Sequence, residues 1–307
     1  MRKGVVYKST GSWYLVKSGA QFYECTIKGK LRLQGIKSTN PVAVGDHVQF
    51  ELLEKDPMKG VIACIEERKN YIVRRSVNLS KQTHIIAANI DQVFLLVTLQ
   101  QPITHLAFID RFLATAQAYR VPVVLLFNKV DVFDQAATKA VEAIKAVYEA
   151  IGYTSQIISA KNGTGVAEVR QMMQNKVSMF AGHSGVGKST LANSLSPNLE
   201  LLTAPISAQH QQGQHTTTFA QMFDLEDNMR IVDTPGIKGF GVVDMSPEEL
   251  GDYFPEIFAL KNNCKFNNCL HTKEPQCAVR AAVDAGEIAA SRYRSYKQLL
   301  EEETSYR

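Results

Sequence analysis

The sequence has no apolar run approaching a membrane span. The longest, Val121 to Phe127, falls far short of the ~20 residues a spanning helix needs. The start, MRKGVVYKST, carries basic residues without an apolar stretch behind them, so no signal peptide is expected. Cysteine is scarce: five in 307 residues, three of them between 264 and 277, which does not make a disulfide framework. Low-complexity segments and internal repeats are absent, and a hydrophobic fraction of 45% excludes wholesale disorder. These absences together leave a soluble, cytoplasmic globular protein with no membrane partner. At ~100–200 residues per domain its length suggests two or three domains.

Charge is present but unevenly placed. The formal net charge is +4. Residues 1–70 hold 12 basic and 7 acidic side chains, and residues 71–82 add Arg74, Arg75 and Lys81 with no acid. The rest of the chain is mildly acidic, so the basic excess lies in the first 82 residues. Such a segment fits a polyanion-binding module, nucleic acid above all, or an ordinary solvated surface. Charge alone does not choose.

Residues 1–70 read as short strands over 4–8, 12–17, 22–27, 48–53 and 60–65, with turn residues between them, including Asp56-Pro57. Five such strands with basic turns and aromatics suit an OB-like β-barrel, which binds oligonucleotides on its open face. About half of Tyr7, Trp13, Tyr14, Phe22 and Tyr23 are expected in the core, and Cys25 and Cys64 are read as core residues. From 85 to 240 the pattern is α/β. Buried strands are expected over 92–98, 121–127, 156–159, 177–181 and 229–232, and helices over 106–119, 136–150, 165–175 and 187–195. Apolar strands joined by helices make a doubly wound parallel sheet. After Asp244 helices follow: one opened by Ser246-Pro247-Glu248-Glu249, then 278–284 and 287–303.

Four motifs carry the chemistry. Gly182-His183-Ser184-Gly185-Val186-Gly187-Lys188-Ser189, followed by Thr190, matches G-x-x-x-x-G-K-[ST] between a strand and a helix. Its backbone N–H groups can wrap phosphates, with His183 contributing through its backbone. Lys188 neutralises β and γ oxygens, and the Ser189 hydroxyl binds Mg²⁺. A chance match in 300 residues is roughly one in a hundred at average glycine usage. Asp233-Thr-Pro-Gly236 closes the last strand: Asp233 can hold the metal through water, and the Gly236 N–H can sense a γ-phosphate. Asn128-Lys129-Val-Asp131 selects the base. The Asp131 carboxylate can accept from guanine N1–H and the 2-amino group, adenine offers neither, and such mismatches can cost ~10⁴–10⁵ in selectivity. Asn128 supports that loop and the Lys129 stem can lie along the base. In Ser159-Ala160-Lys161 the Ala160 N–H can reach guanine O6. Each short motif alone is also a good capped turn; the set of four specifies GTP.

Cys264, Cys269, His271 and Cys277 offer three thiolates and an imidazole, a tetrahedral set for one structural zinc per chain with no ligand position left for water. The alternative is three reduced, buried cysteines beside a surface histidine.

The motifs resemble those of the translation-factor-related GTPases, but out of order. NKVD and SAK precede the P-loop, which precedes GQHTTT (213–218) and DTPG. Circular permutation permits this where native ends lie close. DTPG then leads straight into the C-terminal residues, so the nucleotide state could move them relative to the barrel. With the basic barrel, the cysteine cluster, AANID (87–91), the Gln-Pro at 101–102 and the Glu-Pro before Cys277, the whole chain resembles the bacterial ribosome small-subunit-dependent GTPase A family, RsgA. The resemblance implies a multidomain α/β fold: an OB-like RNA-binding barrel over 1–70, a circularly permuted GTPase domain over 71–243 and a helical zinc-binding domain over 244–307. It implies a cytoplasmic, monomeric factor in late 30S subunit maturation that binds 16S rRNA, with GTP hydrolysis stimulated by the small subunit. It also implies a catalytic role for His215 of the G-x-H-T-T-T switch; Gln214 stands where many relatives carry arginine. Thr216 or Thr217 completes the Mg²⁺ shell, Thr217 by loose alignment. Ile237 occupies the position of the water-orienting glutamine in Ras-like enzymes and predicts slow intrinsic hydrolysis. Two other classes fit the same residues: a GTP-gated RNA-binding protein with negligible turnover, and a GTPase in another RNA-related process.

Overall fold

The structure is a computed structural model describing residues 1–29, 41–75, 83–196, 220–233 and 246–305. Strands β1 (Arg2–Ser9), β2 (Tyr14–Ser18), β3 (Gln21–Ile27), β4 (His47–Leu53) and β5 (Asp56–Ile65) form a closed barrel. Closure comes from β1, which pairs with both β2 and β4, and from the parallel β3–β5 pair. Alternation drives it: Val48 and Phe50 of β4, like Tyr23 and Cys25 of β3, point inward and their neighbours outward. Gly60 sits where a Cβ would lie 2.9 Å from the Glu51 carbonyl and the Phe50 ring, so the tight pairing there needs glycine. Three of the five aromatics are core (Tyr7, Tyr14, Tyr23), whereas Trp13 and Phe22 are exposed. Cys25 is buried, its thiol pushed up to about 12 by desolvation. Cys64, expected inside, is exposed: it shares the parity of buried Gly60 and Ile62, but the register shift between Gln49 and Phe50 turns it outward, opposite Gln49. The β4–β5 turn is Glu54-Lys55; Asp56-Pro57 already belongs to β5, where Asp56 pairs with Leu53.

A hairpin of β6 (Tyr71–Arg75) and β7 (Thr83–Ala88) follows, in a stretch for which no strands were expected. β7 docks the barrel. Ala88 N–H donates to the Val44 carbonyl at 2.8 Å, and a Cβ on Gly45, at φ +90°, would overlap the Ala88 carbonyl. The Arg68 guanidinium donates twice to the buried Asp46 carboxylate, each at 2.7 Å, and closes the same seam.

Five parallel strands follow: β8 (Gln92–Val97), β9 (Val123–Phe127), β10 (Thr154–Ile157), β11 (Val177–Ala181) and β13 (Arg230–Asp233), in the order β10-β9-β8-β11-β13. Antiparallel β12 (Gln221–Asp224) pairs with β13 and meets β1 of the barrel at Gln221 and Lys8. Helices α1 (Leu106–Ala118) and α2 (Gln135–Ala150) cover one face, α3 (Val166–Met173) and α4 (Lys188–Leu195) the other, each over its own apolar core. Strands buried on both faces explain the unbroken apolar runs. The chain steps outward from β8 to β10, then returns to lay β11 on the other side of β8. That reversal opens a crevice at the strand C-termini, where open α/β sheets bind ligands.

The C-terminal residues form α5 (Pro247–Leu250), α6 (Pro255–Leu260), α7 (Ala278–Asp284) and α8 (Ala290–Ser305). Ser246 and Glu249 form a reciprocal capping box at α5. This unit packs against α1. Ala114 joins its core, Arg111 pairs with Glu302, and the buried Arg292 bonds Asp110 of α1 at 2.7 Å and Glu256 of α6 at 2.7 Å. Its attachment to the sheet is therefore a packed face as well as a connecting segment. Among the described residues no helix is long and apolar enough to cross a membrane.

Candidate nucleotide and metal sites

The P-loop connects β11 to α4, and its three glycines all take positive φ: +132° at Gly182, +83° at Gly185 and +101° at Gly187. At Gly182 a Cβ would lie 2.6 Å from the Leu96 carbonyl, and at Gly187 it would overlap the Asn128 amide. The loop can thus lie close to β8 and the β9 end only with glycine at both positions. Val186 is buried and anchors it, while His183, Ser184, Ser189 and Thr190 face solvent. The Lys188 ammonium donates to the Gly182 and His183 carbonyls at 2.8 and 2.7 Å, and desolvation lowers its pKa. That arrangement keeps a half-buried cation inside the loop, where an incoming phosphate would exchange with two neutral carbonyls.

Asn128 joins three motifs. It is buried at the end of β9, donates through Nδ2 to the Val186 carbonyl at 2.8 Å and accepts through Oδ1 from Ala160 N–H at 3.0 Å. One amide side chain therefore sets the distance between the P-loop, its own loop and the SAK loop. Lys129 takes φ +70°, which turns the chain toward Asp131. Asp131 Oδ1 accepts from Ser159 Oγ at 2.6 Å, and Ser159 Oγ in turn accepts from Asn162 N–H at 3.3 Å. The carboxylate is exposed yet held in one direction, as base recognition requires. Lys161 is exposed beside it. Asp233 ends β13 on the same edge of the sheet, with its carboxyl pKa raised by burial.

NKVD, SAK, the P-loop and Asp233 therefore meet at the C-terminal ends of β9, β10, β11 and β13. Gln214, His215, Thr216, Thr217, Gly236 and Ile237 lie outside the described residues. Sequence reasoning gave no site role to the β8–α1 connection, which also reaches this edge. Lys129 Nζ donates to the Gln101 carbonyl, and the Phe108 ring lies against His183 with centroids 3.9 Å apart. The Gln101-Pro102 pair was the only local signal.

The second cluster is at the far end of the chain. The ligand atoms of Cys264, Cys269, His271 and Cys277 all lie within 4.8 Å of one another. His271 Nδ1 is 3.5 Å from both the Cys264 and Cys277 sulfurs, which are 3.9 Å apart. A tetrahedron with ~2.3 Å metal–sulfur bonds has edges of ~3.8 Å, so the donor set fits a metal ion. The backbone around it is prepared. Tyr293 and Tyr296 hydroxyls donate to the His271 and Leu270 carbonyls at 2.6 and 2.9 Å. Glu274 accepts from the N–H groups of Leu270, Thr272 and Lys273; burial alone would raise its pKa, but these donors hold it down at about 2. Cys277 Sγ caps α7 by accepting from Arg280 N–H. These residues make a metal site.

Known proteins agree with this architecture. Residues 3–62 match the RsgA N-terminal domain and residues 65–243 the RsgA GTPase family. A small ribosomal subunit biogenesis GTPase RsgA of Christiangramia forsetii is 61% identical, over 99% of this chain and 98% of its own. One of Flavobacterium johnsoniae is 59% identical, over 99% and 94%. The crystal structure of YjeQ from Thermotoga maritima superposes with a TM-score of 0.81 at 33% identity, covering 98% of each chain. That of YloQ, described as a circularly permuted GTPase, gives 0.78 at 29%, covering 100% of this chain and 96% of its own. With a closed five-stranded barrel, a permuted order of nucleotide motifs and a Cys₃His metal cluster, this chain belongs to the RsgA GTPase family.

Proposed function

We propose that this GTPase acts late in small ribosomal subunit maturation, binding 16S rRNA, with GTP hydrolysis stimulated by the 30S particle. The convergence of NKVD, SAK and the P-loop on one sheet edge, tied by Asn128 and flanked by Asp233, carries the nucleotide half of this reading. The names of its relatives carry the ribosomal half. We assign residues 1–70 to an RNA-binding barrel, 71–243 to the GTPase domain and 244–307 to a zinc-binding domain, in a cytoplasmic monomer. Lys8 over the exposed Trp13 ring puts a cation beside an aromatic face on the barrel, a pairing suited to RNA, whereas Lys17, over Phe22, is already paired with Asp224.

In this reading residues 182–190 cradle the phosphates of GTP or GDP. Asp131 reads N1–H and the 2-amino group of guanine, Ala160 N–H turns from Asn128 Oδ1 to O6 when the base enters, Lys129 lies along the base, and Ser159 and Lys161 hold the loop. Ser189, Asp233 and Thr217 would hold Mg²⁺, which supplies charge neutralisation at the β and γ oxygens. Gly236 N–H senses the γ-phosphate. Ile237 cannot orient water, so His215 supplies the catalytic group when the subunit is bound. Zinc, held by Cys264, Cys269, His271 and Cys277, is structural: four protein ligands leave none for a substrate.

The deciding experiment is steady-state GTP hydrolysis titrated with mature and immature small subunits. Stimulation of the native chain and its loss in His215→Ala, at unchanged GTP affinity, are the expected results. Equal turnover with and without subunits would remove the ribosomal role. Ile237 also favours a second reading, a GTP-gated RNA binder with negligible turnover, which single-turnover kinetics in the presence of subunits separates from the first.

A further inference from the structure

The connection between β8 and α1 lies across the sheet edge between the Asn128 loop and the P-loop. It is fastened at three points. The Thr98 hydroxyl donates to the Pro102 carbonyl, Thr98 N–H to Thr104 Oγ1, and Lys129 Nζ to the Gln101 carbonyl. The P-loop rests on it. At Gly185 an added Cβ would sit 3.5 Å from Pro102 Cδ, ordinary contact distance, so the loop backbone passes over the proline ring with room for a methyl group between them. One turn into α1, the Phe108 ring meets the His183 imidazole at 3.9 Å between centroids and 34° between planes.

The two sides of that stack differ in rigidity. α1 is clamped: Ile109, Phe112 and Leu113 are buried against the sheet, and Asp110 and Arg111 are ion-paired to α8. His183 sits instead on an exposed loop of three positive-φ glycines, which by itself has many backbone states to lose. The Gly182 and His183 carbonyls are also the ones that receive Lys188 Nζ. Whatever fixes His183 therefore fixes where the lysine waits. Burial lowers the imidazole pKa, with Lys188 and His105 adding to the effect, which favours the neutral ring that packs on a phenyl face.

We propose that Phe108 is a positioning residue for phosphate binding: through its stack on His183, with Pro102 beneath Gly185, it pre-orders the P-loop backbone. The inference rests on the P-loop assignment made under Proposed function. An aromatic pair of this kind is worth a factor of about 2 to 10 in an equilibrium constant.

The test is a double-mutant cycle on GDP affinity, read with a fluorescent GDP in the full-length chain. Phe108→Ala and His183→Ala should each weaken binding by about 3- to 10-fold, through faster dissociation. The double variant should be no weaker than either single one, and Phe108→Tyr should bind like the native chain. Additive losses would mean that Phe108 only fills the core, and overturn the proposal. Should Phe108→Ala not fold, His183→Ala alone decides, because its side chain is exposed: native GDP affinity in that variant overturns the stack's role. Lys188→Ala serves as reference. If it binds GDP like the native chain, the P-loop assignment itself fails; if it loses binding while the cycle shows no coupling, only the role of Phe108 fails.

Discussion

Replacing Arg292 by methionine should be the most damaging single change outside the nucleotide and metal sites. The guanidinium is 2% exposed and faces two carboxylates, Asp110 at 0% and Glu256 at 7%. It donates to Asp110 Oδ1 at 2.7 Å and to both Glu256 oxygens at 2.7 and 3.2 Å, with the Phe254 ring 4.6 Å away. Burial alone would lower the Arg292 pKa; the two carboxylates more than offset it and raise it. The cluster already carries one more negative than positive charge. Methionine fills much of the volume but leaves both carboxylates buried without a cation. Breaking such a cluster from one side costs about 3–5 kcal/mol. At about 2–4 °C per kcal/mol for a cooperative unit of 150–250 residues, the size class of the sheet with its C-terminal helices, that lowers the melting temperature by about 6–20 °C. The loss should be local as well: amide exchange should accelerate in α8 and α1 before the central sheet. Adding Asp110→Asn and Glu256→Gln removes the stranded charges, keeps an acceptor for the Tyr148 hydroxyl, and should recover at least half of the loss. Lys145→Met, which breaks the exposed Lys145–Glu149 pair, should cost about 0.5 kcal/mol or less. Calorimetry of the four proteins decides. A loss below about 1 kcal/mol for Arg292→Met, or a triple variant as unstable as the single one, would refute the argument.

Asp131→Asn turns one acceptor toward the base into a donor, so guanine affinity should fall by about 10³-fold or more while xanthine nucleotides gain; competition binding of GDP against XDP reads this, and retained guanine preference would contradict it. Gly187→Ala puts a methyl into the Asn128 amide and strains a residue at φ +101°, so nucleotide affinity should drop by about tenfold or more, with the loss visible in equilibrium dialysis. Chelation at neutral pH should release about one metal ion per chain and speed amide exchange over residues 261–284, because Cys277 Sγ also caps α7; elemental analysis showing no bound metal in the native chain would count against the site.

The chemistry-bearing loops were legible because each is local. A P-loop needs glycines and a lysine at set spacings after a strand, and NKVD, SAK and the Asp233 turn each occupy a strand end. The strands themselves were legible where they are buried on both faces, as in β8 and β9. Elements whose stability comes from distant partners were missed. β6 and β7 are short, the first ends in two arginines, and they exist as a pair. β12 has four residues and is held between β13 and the barrel. The phase that exposes Cys64 and the place of the β4–β5 turn follow from register, which strand composition does not encode.

By itself the sequence determined the nucleotide motifs, the metal-ligand set and their permuted order along the chain. Those are properties of residue type and near spacing, where backbone geometry is local. Tertiary structure alone decided what stands beside what. His183 found Phe108, Asn128 reached the P-loop and the SAK loop together, and Arg292 met carboxylates 36 and 182 positions away. Such meetings depend on how several apolar faces share one core, a sum over the whole chain that no single segment contains.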